Sequence, residues 1–388
     1  MATTTTNIPT KAYVVEEKGG PFVLKDVILD TVGPDELLVE IKYAGVCHTD
    51  LVVQSGGMPI GAYPAVLGHE GAGIIRAVGA GVKNKSLRPG QQVFLSFRTC
   101  QECDACVGAA GNCGACAHMT EYNFVRGRLD GSRPSPIRYA DGRPIHGQFF
   151  GQSAFSRMAV VSERSVVSLG EGGLEEREMG VLAPLGCGYL TGAATVLNVL
   201  KPAKGASLAV LGMGAVGNAA LLAARAIGMT EVMAVDIVEG KLQLARELGA
   251  TYTVNTAQGP GLVESIRGIF PQGVDYIVDT TAVQSVMQAS LGALAHGGTL
   301  ALVGAMPPET KLELNALDVL TGCKKIMGVI EGYSNPQQFI PTIVQWYKEG
   351  KFAIDKVVKV YPAAKLDEAL ADLKAGKVIK PVLSWDEL

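Results

Sequence analysis

The segment Ser207-Leu-Ala-Val-Leu-Gly212-Met-Gly214-Ala-Val-Gly217 constrains this chain more than any other stretch. An apolar run of strand character ends at Gly212, and a helical pattern then runs from Ala215 to Ile227. Three glycines at this spacing suit a strand, a tight turn and a helix in immediate succession. Gly212 permits the turn, Gly214 lets the backbone approach a pyrophosphate, and Gly217 lets the helix pack closely on the strand, with the anion at the helix N-terminus. Asp236 closes the next strand, 19 residues after Gly217. Its carboxylate suits the ribose hydroxyls of NAD and repels the additional phosphate of NADP, which stays open if a nearby cation compensates. Lys241 follows closely and offers a contact to the adenosine ribose. Glycines alone would be a packing turn of any α/β protein; with strand, helix and acid all present they predict a dinucleotide site.

The same texture extends on both sides. Strand candidates at Ser207 to Leu211, Glu231 to Val235, Tyr252 to Val254, Asp275 to Val278 and Thr299 to Val303 alternate with helical patterns at Ala215 to Ile227, Glu239 to Leu248 and Val283 to Leu294. Such alternation predicts a doubly wound parallel sheet. Before it, from Lys11 to about Ser168, short β-rich runs such as Leu37 to Tyr43, Gly71 to Val78 and Gln92 to Phe97 are broken by Gly and Pro, which reads as a barrel-like β domain. The expected division is a β-barrel domain over 1–189, a parallel-sheet domain over 190–324, and a tail over 325–388 that returns to the first.

Composition narrows the function. A formal net charge of −3 over 388 residues gives no basic field for nucleic acid or an anionic membrane, so a small molecule is the expected partner. The polar, Thr-rich stretch Met1 to Lys11 lacks the apolar core of a secretory signal and is expected to begin as a loose tail, and no uncharged apolar run of membrane-spanning length follows. A cytoplasmic protein is expected, in which eight cysteines serve as metal ligands or buried thiols rather than disulfides.

Five of those cysteines crowd one loop: Cys100, Cys103 and Cys106, then Cys113 and Cys116. That density fits tetrahedral thiolate coordination of zinc, and four thiolates leave no position for substrate, so this metal is expected to be structural. Either Cys113 or Cys116 offers the fourth thiolate. Three further segments each offer one ligand: Gly45-Val-Cys47-His48-Thr49-Asp50, Gly68-His69-Glu70-Gly71, and Pro184-Leu-Gly-Cys187-Gly. Separately, a cysteine is more often a small buried hydrophobe and a histidine a hydrogen-bonded structural residue. Together they supply two thiolates and one imidazole, leaving a zinc ion its fourth position open.

Taken in order, Cys47-His48-Thr49-Asp50, Gly68-His69-Glu70, the cysteine lobe, the glycine fingerprint and Asp236 resemble the zinc-containing medium-chain alcohol dehydrogenases, whose fold is a GroES-like β-barrel catalytic domain joined to a Rossmann domain. Within that family Gly188 to Gly192, the Phe149-Phe150 region and the stretches Glu331-Gly-Tyr and Lys380-Pro-Val-Leu are most similar to aryl (benzyl) alcohol dehydrogenases. The resemblance implies Cys47, His69 and Cys187 as ligands of a catalytic zinc, Asp50 as the carboxylate that orients His69, and Glu70 as an acid close to the metal. Two thiolates bring Zn²⁺ near neutrality, so it still acts as a Lewis acid on an alcohol that then gives hydride to nicotinamide.

By the same resemblance, Thr49 takes the alcohol proton, His48 and Lys380 contact the cofactor pyrophosphate, Thr191 lies beside the nicotinamide, and Phe149 and Phe150 line the substrate pocket. As adjacent strand residues, only one of the two rings would face a given side. Many relatives continue the proton relay with a histidine where this chain has Val52, which leaves His48 as the nearest substitute. Relatives also place seven residues between the third and fourth lobe cysteines, whereas Cys106 to Cys113 leaves six and Cys106 to Cys116 leaves nine; the resemblance of Gly111-Asn112 to the residues before the fourth cysteine in relatives favours Cys113, with a one-residue loop deletion. The expected function is NAD-linked interconversion of a benzylic or other bulky primary alcohol with its aldehyde, in a homo-oligomer carrying one catalytic and one structural zinc per chain. Two alternatives stand beside it: conjugate reduction of an unsaturated carbonyl or iminium, for which the missing relay base would not matter, and a dinucleotide-binding protein without chemistry.

Overall fold

A computed structural model describes residues 6–108, 111–131, 135–170 and 173–388. The chain separates into two compact units, one comprising the described residues of Met1–Cys187, Asn335–Pro341 and Val357–Leu388, the other Gly188–Ser334 and Thr342–Lys356.

In the second unit six parallel strands lie in the order Tyr252–Asn255, Glu231–Asp236, Ser207–Leu211, Val274–Asp279, Leu294–Leu302, Lys325–Gly328. Numbered along the chain this order is 3-2-1-4-5-6, the doubly wound arrangement of dinucleotide-binding sheets. The strand Ser207–Leu211 is buried at every position, as expected for a parallel strand covered on both faces. Helix Ala215–Ala226 follows it directly. Ala209, Leu211, Met233, Ile277 and Leu300 form the core with Leu262, Ile266 and Leu291 from helices Leu262–Ile269 and Gln284–Ala293. Each fully buried Leu or Ile contributes about 1.5–3 kcal/mol.

Two boundaries differ from the sequence-based division. The first unit ends at Cys187 rather than 189, and the chain does not return to it at residue 325. Lys325–Gly328 instead pairs in parallel with Leu294–Leu302 as the sixth strand of the sheet. The strand is only partly buried at Ile326 and Met327, and the preceding helix Ala316–Thr321 buries none of its residues, so no apolar rhythm announces either.

In the first unit the strand Glu36–Gly45 is the organising element. It pairs antiparallel with Gly71–Val78, Met158–Ser162 and Lys380–Ser384 within a seven-stranded sheet that also holds Gln92–Leu95, Val166–Ser168 and Val358–Pro362. A second sheet orders Ala65–Val66, Ile8–Val15, Phe22–Leu29, Ile137–Arg138 and Pro144–Ile145, and together these sheets make the GroES-like part of a mixed α/β fold. The expected loose start extends less far than Lys11: strand structure begins at Ile8, because Ile8–Val15 pairs along its length with Phe22–Leu29. Residues 1–5 lie outside the described residues. Among the described residues no single helix is long and apolar enough to cross a membrane.

Candidate active site

Sheet register gathers side chains that the sequence scatters. Ala44 pairs with Gly71, and Gly45 pairs with Val382. Cys47 therefore leaves the end of one strand where His69 and Glu70 enter the next and Lys380 begins a third. Backbone bonds from Gly45 N–H to Glu70 carbonyl (2.9 Å) and from Val46 N–H to Pro381 carbonyl (3.0 Å) close this corner. Cys187 joins it through the neighbouring strand, because the Ser96 hydroxyl donates to the Gly186 carbonyl at 2.6 Å. One ligand atom from each of Cys47, His69, Glu70 and Cys187 then lies within 4.8 Å of the others.

Asp50 ties this group together. Completely buried, it accepts the Cys47 N–H (3.0 Å) on one oxygen and the Gly68 N–H (3.0 Å) and His69 Nδ1 (2.9 Å) on the other. One carboxylate thus fixes the backbone at two ligand segments and the orientation of the imidazole, an arrangement common behind metal-bound histidines. His69 Nε2 is buried without an ordinary hydrogen bond and stands beside the Cys47 thiol.

The charges fit a cation. Cys47 is held well below its usual thiol range, chiefly by its hydrogen bond with Cys187, with Lys380 and His69 assisting against burial. Burial opposes a charge on His69, yet Asp50 and then Cys47 hold the imidazole well above its ordinary value. Thiolate and imidazole here share a positive charge that a divalent cation supplies directly. Two thiolates and one imidazole, whose buried Nε2 lacks an ordinary hydrogen bond, are a donor set suited to zinc.

Glu70 and Lys380 complete the interior. Burial pushes the Glu70 carboxyl up to about 7, with the Lys380 ammonium pulling the other way. Lys380 is only 3% exposed; its Nζ meets Glu70 Oε2 at 2.5 Å and donates to the Val46 carbonyl at 3.1 Å. Burial disfavours its charge, but Glu70 and then Cys47 raise its pKa. The residue expected at a pyrophosphate thus has its ammonium engaged on Glu70, because the Val382–Gly45 register brings the start of its strand to the Cys47 corner.

Thr49 is half-buried in the helix His48–Gln54, His48 is exposed at its first position, and Val52 lies in the same helix. Phe149 and Phe150 correct the strand expectation. They form a turn, Phe149–Gly151, in which Phe150 takes the left-handed φ of 53°, so both rings turn to His69. Phe150 stacks on the imidazole at 4.5 Å between centroids and Phe149 meets it edge-on at 5.5 Å. Phe124 joins both rings, at 5.0 and 5.7 Å. Neither Phe124 nor Gln152 carries a motif. Yet Gln152 accepts the Gly71 N–H (3.0 Å) and donates to the His69 carbonyl (2.8 Å), bracketing Glu70.

The cysteine lobe gathers Cys100, Cys103, Cys106 and Cys116, whose sulfurs lie within 4.8 Å of one another. The fourth member is therefore Cys116, not Cys113. A short turn over Cys113–Ala115 carries the chain round so that the Cys116 sulfur accepts the Cys100 N–H at 3.3 Å. Cys113 is buried, and burial raises its thiol pKa. Cys103 is lowered to about 6, first by the Ala117 backbone N–H. Residues 109–110 of the lobe lie outside the described residues.

In the second unit the three fingerprint glycines have different surroundings. Gly212 has φ +88°, a Cβ on Gly217 would meet the Gly212 carbonyl at 1.9 Å, and a Cβ on Gly214 would meet nothing within 4 Å. Asp236 accepts the Met213 N–H (2.7 Å) and those of Ile237 (2.8 Å) and Val238 (3.0 Å), which fixes its carboxylate against the turn. Lys241 sits 3.9 Å from the same carboxylate. Thr191 is buried and its hydroxyl bonds Glu331 Oε2 at 3.0 Å.

A parallel dinucleotide-type sheet and a barrel unit with a clustered Cys, His, Cys set define a metal-dependent dehydrogenase architecture. Two family profiles match: the alcohol dehydrogenase GroES-like domain over residues 33–171 and the zinc-binding dehydrogenase over 215–349. Geraniol dehydrogenase of Castellaniella defragrans is 36% identical over 377 residues, covering 97% of this chain and 98% of that one. The crystal structure of an alcohol dehydrogenase zinc-binding domain protein from Burkholderia ambifaria matches with TM-score 0.90 at 40% identity, covering 97% of this chain and 98% of that one. Benzyl alcohol dehydrogenase from Acinetobacter calcoaceticus matches with TM-score 0.89 at 36% identity, covering 97% and 99%. This chain belongs to the zinc-containing medium-chain alcohol dehydrogenases, whose cofactors are zinc and NAD(H).

Proposed function

We propose that the protein oxidises a bulky, unsaturated primary alcohol, benzylic or allylic, to its aldehyde with NAD⁺, reversibly, releasing NADH and a proton. The observation that carries this reading is the clustering of half-buried Cys47 and Cys187 with buried His69, and Asp50 on the imidazole. Cys47, His69 and Cys187 hold the catalytic metal, and Cys100, Cys103, Cys106 and Cys116 hold the structural one. Zinc, when bound, supplies a Lewis acid that lowers the pKa of an alcohol, and NAD⁺ accepts the hydride.

The protein's own groups do the rest. Asp50 orients His69. Thr49 Oγ1 takes the alcohol proton, and exposed His48, at the start of the same helix, passes it to solvent where Val52 offers no base. Glu70 and Lys380 keep a compensated pair of charges beside the thiolates. Asp236, its carboxylate held by three backbone N–H groups, favours the free ribose hydroxyls of NAD over the phosphate of NADP. Thr191, held by Glu331, stands at the nicotinamide end of the cofactor. The rings of Phe149 and Phe150 at His69 give the site an apolar, aromatic boundary, which suits an unsaturated alcohol. The similarity to the Castellaniella geraniol dehydrogenase and the Acinetobacter benzyl alcohol dehydrogenase supports the same reading. We further place the protein in the cytoplasm as a homo-oligomer.

A panel of benzylic, allylic, long-chain and short-chain alcohols, each with NAD⁺ and with NADP⁺, tests this. NADH formation with highest kcat/KM on benzylic or allylic alcohols is expected. Turnover confined to conjugated carbonyl reduction, or to short-chain alcohols, overturns the substrate reading.

A further inference from the structure

Residues 148–153 form a turn with an unusual backbone. Gln148 (φ 57°), Phe150 (φ 53°) and Ser153 (φ 56°) are left-handed without being glycine, and Gly151 (φ 71°) joins them. Each such non-glycine residue is strained and persists only where its surroundings hold it. The holding group is Arg98. Fully buried, its guanidinium donates to the carbonyls of Gly127 (2.8 Å) and Arg126 (2.8 Å), to that of Tyr122, and to both the carbonyl and Oε1 of Gln148 (3.2 Å each). Its stem packs against Gly151, where an added Cβ would meet Arg98 Cδ at 2.5 Å. Its backbone N–H donates to Asn123 Oδ1 at 2.7 Å and its carbonyl accepts from Asn123 Nδ2 at 3.0 Å.

One cation therefore pins two segments. The first is the π-helical turn Glu121–Val125, which carries Phe124; the second carries Phe149 and Phe150. Phe150 lies on the face of the His69 imidazole at an interplanar angle of 28° and Phe149 meets it at 89°, while Phe124 packs on both of these rings. Asp50 fixes only the Nδ1 edge of that ring. Rotation about this edge is blocked by the aromatic enclosure, and the enclosure is set by Arg98.

We propose that Arg98 is a positioning residue for the His69 imidazole, acting through Phe150 and Phe149. The guanidinium itself touches neither substrate nor cofactor in this arrangement; it fixes the plane in which Nε2 is presented. The proposal rests on the reading of Cys47, His69 and Cys187 as the catalytic metal site.

The experiment uses the zinc protein and its cobalt-substituted form, with Arg98→Met, Phe150→Leu and Phe150→Tyr variants. Metal retention under a chelator and the cobalt d–d spectrum are recorded for each. Removing groups that orient a metal-bound histidine weakens metal affinity roughly 10–100-fold, so loss of the catalytic metal at least tenfold faster and a shifted cobalt band are expected for Phe150→Leu and Arg98→Met, with Phe150→Tyr close to wild type. Phe150→Leu lies away from the cysteine lobe and serves as the deciding variant should Arg98→Met fail to fold. An unshifted band and unchanged retention in folded Phe150→Leu overturn the proposal while leaving the functional reading intact. A Cys47→Ser variant that retains the wild-type metal content overturns both.

Discussion

The two cysteine clusters of the first unit look alike in composition and differ in how the chain builds them. The lobe takes all its sulfurs from the single stretch Cys100 to Cys116, and backbone N–H groups of Cys100 and Cys103 point at those sulfurs, at 3.3 and 3.2 Å. The other cluster draws Cys47, His69 and Cys187 from three separate places and surrounds them with side-chain charges: Asp50, Glu70 and Lys380. A thiolate set neutralised by short-range backbone dipoles and complete with four sulfurs is closed and supports structure. A set with three donors inside a network of buried acids and a buried lysine is open and electrically tuned. The difference teaches that metal chemistry in this chain is assigned by how many donors fill the shell together with what surrounds them.

Substitutions at corresponding ligands should break the comparison most visibly. Cys47→Ser is expected to lower kcat by roughly a thousandfold, since a Lewis acid contributes several kcal/mol, with little change in unfolding midpoint. Cys103→Ser should do the reverse, costing several kcal/mol of stability while folded molecules keep their turnover. Rates and denaturant curves measured on both variants decide this, and equal effects on both would dissolve the distinction. Metal analysis sharpens it further: two zinc per chain are expected, falling to one in Cys47→Ser and in Cys116→Ser, with Cys113→Ser retaining two.

A smaller effect is expected at Asp50. Asp50→Asn should weaken the catalytic metal about 10–100-fold and leave the lobe metal in place, as read by competitive chelation.

A further expected effect concerns stability against pH. His146 lies partly buried beside Gly61, and burial, with Arg98 adding to it, lowers its pKa to about 4. The unfolded chain binds this proton near pH 6.5 and the folded protein resists it, so the stability His146 contributes is complete above about 6.5 and is lost as pH falls towards 4. The loss is at most about 3 kcal/mol. Urea titrations at pH 7 and pH 4.5 should show it, and a His146→Gln variant should flatten the slope.

Much of this was legible before any coordinates. Periodicity placed the strands Ser207–Leu211 and Gly71–Val78 and the helix Ala215–Ala226 within a residue of their observed limits, because a buried parallel strand and an amphipathic helix must each display their period. Helix Leu262–Ile269 and strand Lys325–Gly328 were missed, being short, and the strand only half-covered. The ligand-bearing segments were visible as motifs, but the choice of Cys116 over Cys113 was not. Spacing counts residues along a loop, whereas the turn at Cys113–Ala115 decides which sulfur faces inward.

The sequence by itself determined the kind of molecule. Fingerprint glycines, the acid at Asp236 and clustered Cys and His donors are local requirements of backbone geometry and ligand chemistry, and local requirements are written in consecutive residues. Tertiary structure alone decided the company those residues keep. Lys380 reaches Glu70 through strand register, Asp50 holds two ligand segments through one carboxylate, and Arg98 fixes the aromatic rings on His69. These contacts join positions far apart in the chain, and no spacing rule encodes a meeting that depends on how sheets align and where a buried charge finds its partners.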